Sequence, residues 1–228
     1  LVQGYLRWGI DIIKQLQGML AFALWDEEQK RLVLARDSVG KKPLYYAIHK
    51  GAFIFGSEAK AVFAWPGMPR KPNYESIHHY LTFQYVPGPL SAFDGLKRMP
   101  PGQIMVVDQN LKPRCSSFST WRTPDTVFDV NEAKEELVSI LEDSVRRRMR
   151  ADVSYGALLS GGVDSAAIVA LMARNQGKPV KTFTIGFEDD ALDERAAARL
   201  VAEHFGTEHQ DFVLRPDVVE LLPKIVWH

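Results

Sequence analysis

The first half of the chain consists of short apolar runs separated by polar turns that contain glycine or proline. Runs of this length between turn residues are typical of antiparallel strands. Gly51 can supply the positive φ that a tight hairpin turn requires. The predicted elements are hairpins 21–25 with 32–35 and 43–48 with 52–55, a strand pair starting with 103–107 and a turn at 108–110, and a short helix at 74–81.

The second half changes to helical spacing and then to strict alternation of strand and helix. Apolar residues from Ala133 to Val145 recur at intervals of three and four, which predicts a helix from Asn131. Alternation of strand and helix implies right-handed βαβ units and a parallel sheet. Gly206 and Asp217 are the predicted end of one helix and start of another. The predicted strands are 156–159, 182–187 and 210–214, and the predicted helices are 165–174, 192–205 and 218–227.

These patterns predict an α/β protein with two domains in 228 residues. A mostly antiparallel domain, 1–122, is followed by a linker, 123–130, and by a parallel-sheet domain, 131–228. Because the chain starts at Leu1 and stops inside an apolar helical pattern, we expect it to be a fragment.

Composition excludes several classes of function. The 28 basic and 28 acidic residues give a formal net charge of zero, and we expect no nucleic-acid partner because no broad basic footprint is visible. The longest apolar run, 19–25, is too short to span a membrane, and the first residues do not resemble a signal peptide. A single cysteine favours a reducing compartment, so the predicted location is cytoplasmic.

The clearest chemical motif follows the first strand of the predicted parallel sheet. Its residues are Leu159, Ser160, Gly161, Gly162, Val163, Asp164 and Ser165. Two glycines let the backbone approach a ligand, and the amides and dipole of a helix start favour an anion. A tight strand-to-helix turn with an ordinary helix-start acid is the structural alternative, but the strand–loop–helix context favours nucleotide phosphate.

The loop differs from the Walker type of phosphate loop because no lysine follows its last glycine. Asp164 would repel bare phosphate, so a Mg²⁺ ion shared by its carboxylate and the phosphate oxygens is predicted. ATP and Mg²⁺ are therefore the expected cofactors.

Ser-Gly-Gly-Val-Asp-Ser at 160–165 resembles the pyrophosphate-binding signature of the N-type ATP pyrophosphatases. The resemblance implies that Ser160, Gly161, Gly162, Asp164 and Ser165 hold the leaving pyrophosphate and its magnesium. It also implies that two residues at neighbouring strand ends, Leu159 and Ile185, contact the adenosine part of ATP. By itself, Ile185 would be interpreted as a core strand residue.

The sequence on either side of the loop is similar to glutamine-hydrolysing asparagine synthetases along almost the whole chain. The similar segments are 16–26, 35–37, 40–46, 56–61, 100–102 and 151–153. This resemblance implies part of an N-terminal-nucleophile αββα sandwich followed by part of an ATP-pyrophosphatase domain. It implies that aspartate is adenylated by ATP and then amidated by ammonia from glutamine. The implied partners are these small molecules, and the family allows a homodimer.

The chain departs from that family at its functional ends. The cysteine that hydrolyses glutamine stands at the mature N-terminus in the family, whereas the first residue here is Leu1. The glutamine-binding segments would precede Leu1, and the acidic loop and lysine of the synthetase site would follow His228. We therefore predict no complete catalytic set and little activity for this stretch alone. Cys115 is predicted to be a buried or incidental thiol.

Two other functions stay open at this stage. One is a related enzyme acting on another acid, such as a β-lactam synthetase, and the other is a non-catalytic nucleotide-binding module. The strand-end charges Arg36, Asp37, Glu58 and Lys60 are predicted to be structural. The histidines His78, His79, His204 and His209 are predicted to be solvated or to cap helices. The acids Glu188, Asp189, Asp190, Asp193 and Glu194 are predicted to be helix-start charges, with a substrate-amine or magnesium role as the alternative.

Overall fold

The computed structural model describes residues 1–119, 129–187, 193–215 and 218–227. The chain divides into two compact units, unit 1 (Leu1–Thr123) and unit 2 (Pro124–His228). Most of the predicted linker lies outside the described residues. Together the units make a mixed α/β protein in which the antiparallel sheets belong to unit 1 and the parallel sheet belongs to unit 2.

Unit 1 contains two antiparallel sheets, with strand orders β1-β2-β6-β7 and β4-β3-β5. Both predicted hairpins and the further strand pair are confirmed. The elements are α1 (Val2–Trp8), a 3-10 helix (Gly9–Gln15), β1 (Ala21–Asp26), β2 (Arg31–Arg36), β3 (Tyr45–His49), β4 (Ala52–Gly56), α2 (Ala59–Phe63), α3 (Tyr74–Phe83), β5 (Lys97–Arg98), β6 (Gln103–Val107) and β7 (Pro113–Ser117).

The turn between β3 and β4 has positive φ at both central residues, 46° at Lys50 and 74° at Gly51. Two such residues are the signature of a hairpin turn whose twist matches its strands. The register runs from Tyr45 opposite Gly56 to His49 opposite Ala52. The prediction for Gly51 is confirmed, and Lys50 shares the conformation.

The core of unit 1 lies on both faces of β2. Leu34 packs with Leu44 and Met105 on one side, while Val33 and Ala35 join a cluster on the other side. The second cluster includes residues of the 3-10 helix, which the sequence pattern did not predict. Because a strand covered on both faces is apolar at every position, β2 shows no alternation between apolar and polar residues.

At the end of β2, the buried guanidinium of Arg36 bonds to three backbone carbonyls. It donates to the oxygens of Lys42 at 2.7 Å, Gly40 at 2.6 Å and Met99 at 2.5 Å. Met99 directly follows β5, so this one side chain joins the two sheets of unit 1. Arg36 is a structural charge, as predicted.

The neighbouring carboxylate, Asp37, is also buried and accepts four backbone amides. They are the amides of Lys41 at 2.8 Å, Lys42 at 3.0 Å, Leu20 at 3.2 Å and Val39 at 3.3 Å. Burial by itself raises the pKa of this carboxyl, but the amide hydrogen bonds outweigh burial and hold the pKa below its ordinary value. Asp37 is therefore structural too.

Unit 2 contains one parallel sheet with strand order β10-β9-β8. The predicted alternation of strands and helices is confirmed. The elements are α4 (Val130–Arg148), β8 (Ala157–Leu158), α5 (Val163–Asn175), β9 (Lys181–Phe187), α6 (Arg195–Phe205), β10 (Glu208–Leu214) and α7 (Val218–Trp227).

Several predicted boundaries in unit 2 were wrong, including the start of β10, which lies at Glu208 and not at residue 210. The strand at 156–159 is shorter, because its ladder with β9 stops at Leu158. Helix α5 begins two residues earlier than predicted, since Gly162 is already its N-cap. Helix α6 begins at Arg195, where the Asp193 carboxylate accepts the Arg195 amide at 3.2 Å and so caps the helix from outside. Leu192, the predicted start, lies outside the described residues.

The core of unit 2 forms where α5 packs against α4 and against α6. Val145 of α4 is buried against Leu171 and Met172 of α5. Two other apolar residues of α4, Leu137 and Ile140, are more than half exposed, although both contributed to the helical pattern. Gly206 ends α6 with φ 60° and ψ 43°, as predicted, whereas Asp217 lies outside the described residues.

Among the helices of the described ranges, none has the length and apolar character needed to cross a membrane.

Asp37→Asn is expected to lower the free energy of unfolding by about 1–3 kcal/mol at pH 7, because an amide nitrogen cannot accept the backbone N–H groups. Since the folded pKa is depressed, the carboxylate's contribution is complete above about pH 3.9 and is lost as pH falls through the lower folded value. Urea unfolding at pH 7 and between pH 5 and 2 tests this expectation. The matched control is Asp11→Asn, which removes only an exposed pair with Lys14. Equal losses in the two variants would contradict the role of Asp37.

Candidate functional site

The candidate site is the loop that joins β8 to α5, and its entry is fixed by the neighbouring strand. The amide of Leu159 donates to the carbonyl of Phe183 at 2.9 Å, and the hydroxyl of Thr184 donates to the carbonyl of Leu159. The Leu159 side chain is buried with Val169 and Ala198. Leu159 is therefore buried, and both its backbone amide and its carbonyl are bonded within the protein.

Gly161 makes the sharp turn of the loop and lies directly against α6. Its φ is +76°, and a Cβ atom built on it would lie 2.5 Å from the Cβ of Ala197 and 2.9 Å from the amide nitrogen of Ala198. Both the conformation and the contact require glycine. Besides the close approach of a ligand that is predicted from the sequence, Gly161 allows the loop to pack against α6.

Gly162 is the N-cap of α5 and has an extended conformation, with φ −74° and ψ 159°. A Cβ atom on it would meet only the Oγ of Ser160, at 3.4 Å. Gly162 lies on the exposed side of the loop. At Gly162 the absence of a side chain leaves open space in which a ligand could lie, whereas at Gly161 it makes room for α6.

The two serine hydroxyls of the loop are joined to each other. Their Oγ atoms lie 3.0 Å apart, and the Oγ of Ser165 also accepts the Ser160 amide at 3.3 Å. Ser165 donates to the carbonyl of Gly162 at 3.1 Å. These bonds hold the hydroxyls on either side of the turn, so they are oriented before any ligand binds.

The first turn of α5 is open to solvent. Its N-cap makes no side-chain capping bond, and the side chain of Val163 is 85% exposed. The first amides of a helix have no intrahelical partner and lie at the positive end of its dipole. Exposed amides flanked by oriented hydroxyls can bind an anion such as phosphate.

Asp164 lies in this first turn with an exposed carboxylate. Within the described ranges, no group of three or more His, Cys, Asp or Glu side chains is arranged to hold a metal. A lone carboxylate fits Mg²⁺ when phosphate oxygens and water supply the other ligands. Asp164 therefore suits a metal that arrives with a phosphorylated ligand.

Ile185 is half exposed and does not lie in the core. It pairs in register with Phe212 of β10, and successive residues of a strand alternate between faces. Its side chain therefore lies on the opposite face from Thr184, which is buried. Leu159 and Ile185 lie at neighbouring strand ends. Of the two side chains, that of Ile185 is exposed to solvent and that of Leu159 is buried.

The acids that follow β9 are only partly within the described residues, because Glu188, Asp189 and Asp190 lie outside them. Both carboxylate oxygens of Asp193 accept hydrogen bonds from the guanidinium of Arg195, at 2.8 to 3.0 Å. Hydrogen bonds from Arg195 hold the pKa of Asp193 below its ordinary value. This carboxylate serves the start of α6, as predicted, while Glu194 occupies the N-cap position without a side-chain bond.

Two further sequence predictions concern His209 and Cys115. The Nδ1 of His209 lies 2.9 Å from the hydroxyl of Thr182, so this histidine belongs to a structural network. Cys115 lies on β7 with an exposed side chain, so a buried thiol was wrong. Its partner in the register is Met105. β7 is the last strand of its sheet, and all four residues from Arg114 to Ser117 are exposed.

Sequence reasoning missed Thr184, Ala197 and Ala198, the residues that support the loop from behind. None of them carries a motif, because each acts through packing or a single bond to the backbone. One feature of the sequence could have indicated the packing: Ala197 and Ala198 are small residues in the helix that follows the next strand after the loop.

The chain was compared with protein families and with curated proteins. Residues 1–118 match the glutamine amidotransferase domain, and residues 136–228 match asparagine synthase. A putative glutamine-hydrolysing asparagine synthetase of Mycobacterium tuberculosis is 37% identical over 237 residues, which cover 100% of this chain and 36% of that protein. Asparagine synthetase 1 of Bacillus subtilis is 31% identical, with coverage of 100% and 36%. The chain thus spans about a third of the length of these relatives.

A more distant relative is the protein named amidase chry2 of Gibberella zeae, which is 27% identical over 90% of this chain and 32% of its own. Among solved structures, glutamine phosphoribosylpyrophosphate amidotransferase of B. subtilis, complexed with ADP and GMP, matches with a TM-score of 0.30 and 15% identity. That match covers 94% of this chain and 39% of that structure.

Gly161→Ala is expected to destabilise unit 2, by about 1–2 kcal/mol for the left-handed conformation and further for the contact with α6. The matched control is Gly162→Ala, where φ is −74° and no backbone atom is close, so the loss should stay below about 1 kcal/mol. The free energy of unfolding of both variants is measured by urea denaturation monitored by circular dichroism. A loss at Gly162 equal to that at Gly161 would contradict the packing of Gly161 against α6.

Proposed function

The chain belongs to the family of glutamine-hydrolysing asparagine synthetases, and from this membership we propose that unit 2 binds ATP at the loop 159–165. The observation that carries the proposal is the open start of α5, with its free first turn beside the paired hydroxyls of Ser160 and Ser165. Helix amides and hydroxyls in this arrangement suit the pyrophosphate part of a nucleotide.

We assign separate tasks to the loop residues. The amides at the start of α5 and the hydroxyls of Ser160 and Ser165 bind pyrophosphate oxygens. Gly162 leaves space above the helix start, and Gly161 keeps the turn seated on α6. Asp164 holds Mg²⁺, which when bound neutralises phosphate charge and assists departure of the pyrophosphate.

The adenosine part of ATP is proposed to lie at the carboxyl ends of β8 and β9, where ligands of open parallel sheets bind. Leu159 is buried with both backbone groups bonded, so it would support this region from within the protein. Ile185 would contribute an exposed apolar surface. These contacts rest on the resemblance and on the placement of both residues at neighbouring strand ends.

The reaction proposed for the protein that carries this chain has two steps. A carboxylate oxygen of aspartate attacks the α-phosphorus of ATP, the bond to the bridging oxygen breaks, and pyrophosphate leaves. Ammonia released from glutamine then attacks the aspartyl carbonyl carbon, loses a proton, and displaces AMP to give asparagine. Residues 1–122 would belong to the glutamine-hydrolysing domain and residues 131–228 to the synthetase domain.

An acid other than aspartate is a second candidate substrate. Two fungal relatives, 27% identical over 90% and 98% of this chain, are named amidases rather than asparagine synthetases. Their similarity covers both units, so the same scaffold occurs in proteins named for a different reaction. The loop would bind ATP in either case.

The test is ATP–pyrophosphate exchange by the protein that carries this chain, with Mg²⁺ and each of several carboxylic acids. Exchange that depends on aspartate is the expected result. Exchange that requires another acid would support the second candidate. If neither aspartate nor another acid supports exchange, the proposed function is wrong.

Asp164→Ala is expected to lower aspartate-dependent exchange at least about a hundredfold, in the range reported for loss of a single group that stabilises developing charge. Glutamine hydrolysis should stay within about twofold, because that chemistry belongs to the other domain. The control is Asp143→Ala, which removes an exposed acid of α4 that pairs with Arg146 and Arg147. Parallel loss of both activities in correctly folded Asp164→Ala would contradict this division of tasks.

A further inference from the structure

Thr184 is the one side chain of β9 that bonds to the entry of the phosphate loop within the described part of the chain. Its hydroxyl donates to the carbonyl oxygen of Leu159, which lies next to Ser160 in the sequence. The Thr184 side chain is 3% exposed. The bond is thus shielded from water, and removing the donor would leave a buried carbonyl without its partner.

The position of this bond explains its effect on the chain path. The paired residues of the β8–β9 ladder end with Leu158 opposite Phe183. One residue later, the Leu159 carbonyl would meet a backbone amide of β9 if the ladder continued. The hydroxyl of Thr184 stands in for that amide, so the chain can leave the sheet while its last carbonyl stays anchored.

From this geometry we propose that Thr184 is a positioning residue of the phosphate site. It acts through Leu159: by fixing the direction of that peptide, it sets where the amides at the start of α5 and the hydroxyl of Ser160 lie. It touches neither nucleotide nor metal. The proposal rests on the proposed function, since it assumes that the loop binds the phosphates of ATP.

The same strand supplies a matched control. Thr182 lies two residues earlier on the same face and is 0% exposed. Its hydroxyl lies 2.8 Å from that of Thr207 and 2.9 Å from the Nδ1 of His209, and these partners belong to β10 and the turn before it. Loss of either threonine hydroxyl affects a buried hydrogen bond, but only Thr184 is bonded to the loop.

The experiment measures dissociation constants of MgATP and of magnesium pyrophosphate by calorimetry, together with thermal midpoints, for the protein that carries this chain. Thr184→Val should weaken both ligands about tenfold, which corresponds to about 1.4 kcal/mol. Thr182→Val should lower the thermal midpoint but leave both dissociation constants within about twofold. Equal weakening by the two variants, or unchanged binding by Thr184→Val, would overturn the proposal.

A second pair of variants keeps the test decisive if Thr184→Val does not fold. Thr184→Ser and Thr184→Ala both lose the methyl group, and only the serine retains the hydroxyl. Binding close to that of the unchanged chain by serine, with about tenfold weaker binding by alanine, supports the positioning role. Equal binding by serine and alanine rejects it.

Failure of this inference is distinguishable from failure of the proposed function. If the unchanged protein that carries this chain binds neither MgATP nor magnesium pyrophosphate, the loop is not a phosphate site and both proposals are wrong. If it binds them and the Thr184 variants bind equally well, only the role of Thr184 is wrong.

Discussion

The parallel pairing of β8 with β9 is the constraint on which the candidate site depends. β8 has only two ladder residues, so its carboxyl end is held by the ladder, by the amide of Leu159 and by the hydroxyl of Thr184. A short strand held at its last peptide can turn sharply without losing its anchor. The open helix start that follows is a consequence of that turn.

The second constraint is close packing behind the loop. Gly161 lies against Ala197 and Ala198, so α6 approaches the turn at a distance that no larger residue at 161 would allow. Interiors packed this closely transmit small displacements rather than absorb them. The exposed side of the loop, where we propose that phosphate binds, is therefore shaped by the residues packed behind it.

In unit 1, buried charged side chains, and not small residues, hold the turns in place. The adjacent side chains of Arg36 and Asp37 bond to carbonyls and amides from several turns, and both are buried. A buried guanidinium or carboxylate is tolerated when its hydrogen bonds are filled. Because the partners are backbone groups, the pair specifies the path of the chain and leaves neighbouring side chains free to vary. In both units, side chains fix the path of the chain through hydrogen bonds to backbone atoms. Arg36 and Asp37 do so in unit 1, and Thr184 does so in unit 2.

The sequence by itself determined the hairpins, the alternation in unit 2 and the loop, because each depends on neighbouring residues. The positive φ angles of Gly51 and Gly206 were predictable for the same reason, since a positive φ is a local property. Tertiary structure alone decided that Leu159 is buried, that Ile185 is half exposed and that Thr184 supports the loop. Thr184 and Leu159 are 25 residues apart, and Arg36 and Met99 are 63 apart. Contacts at such separations depend on how the sheets are assembled, which no local pattern of apolar and polar residues records.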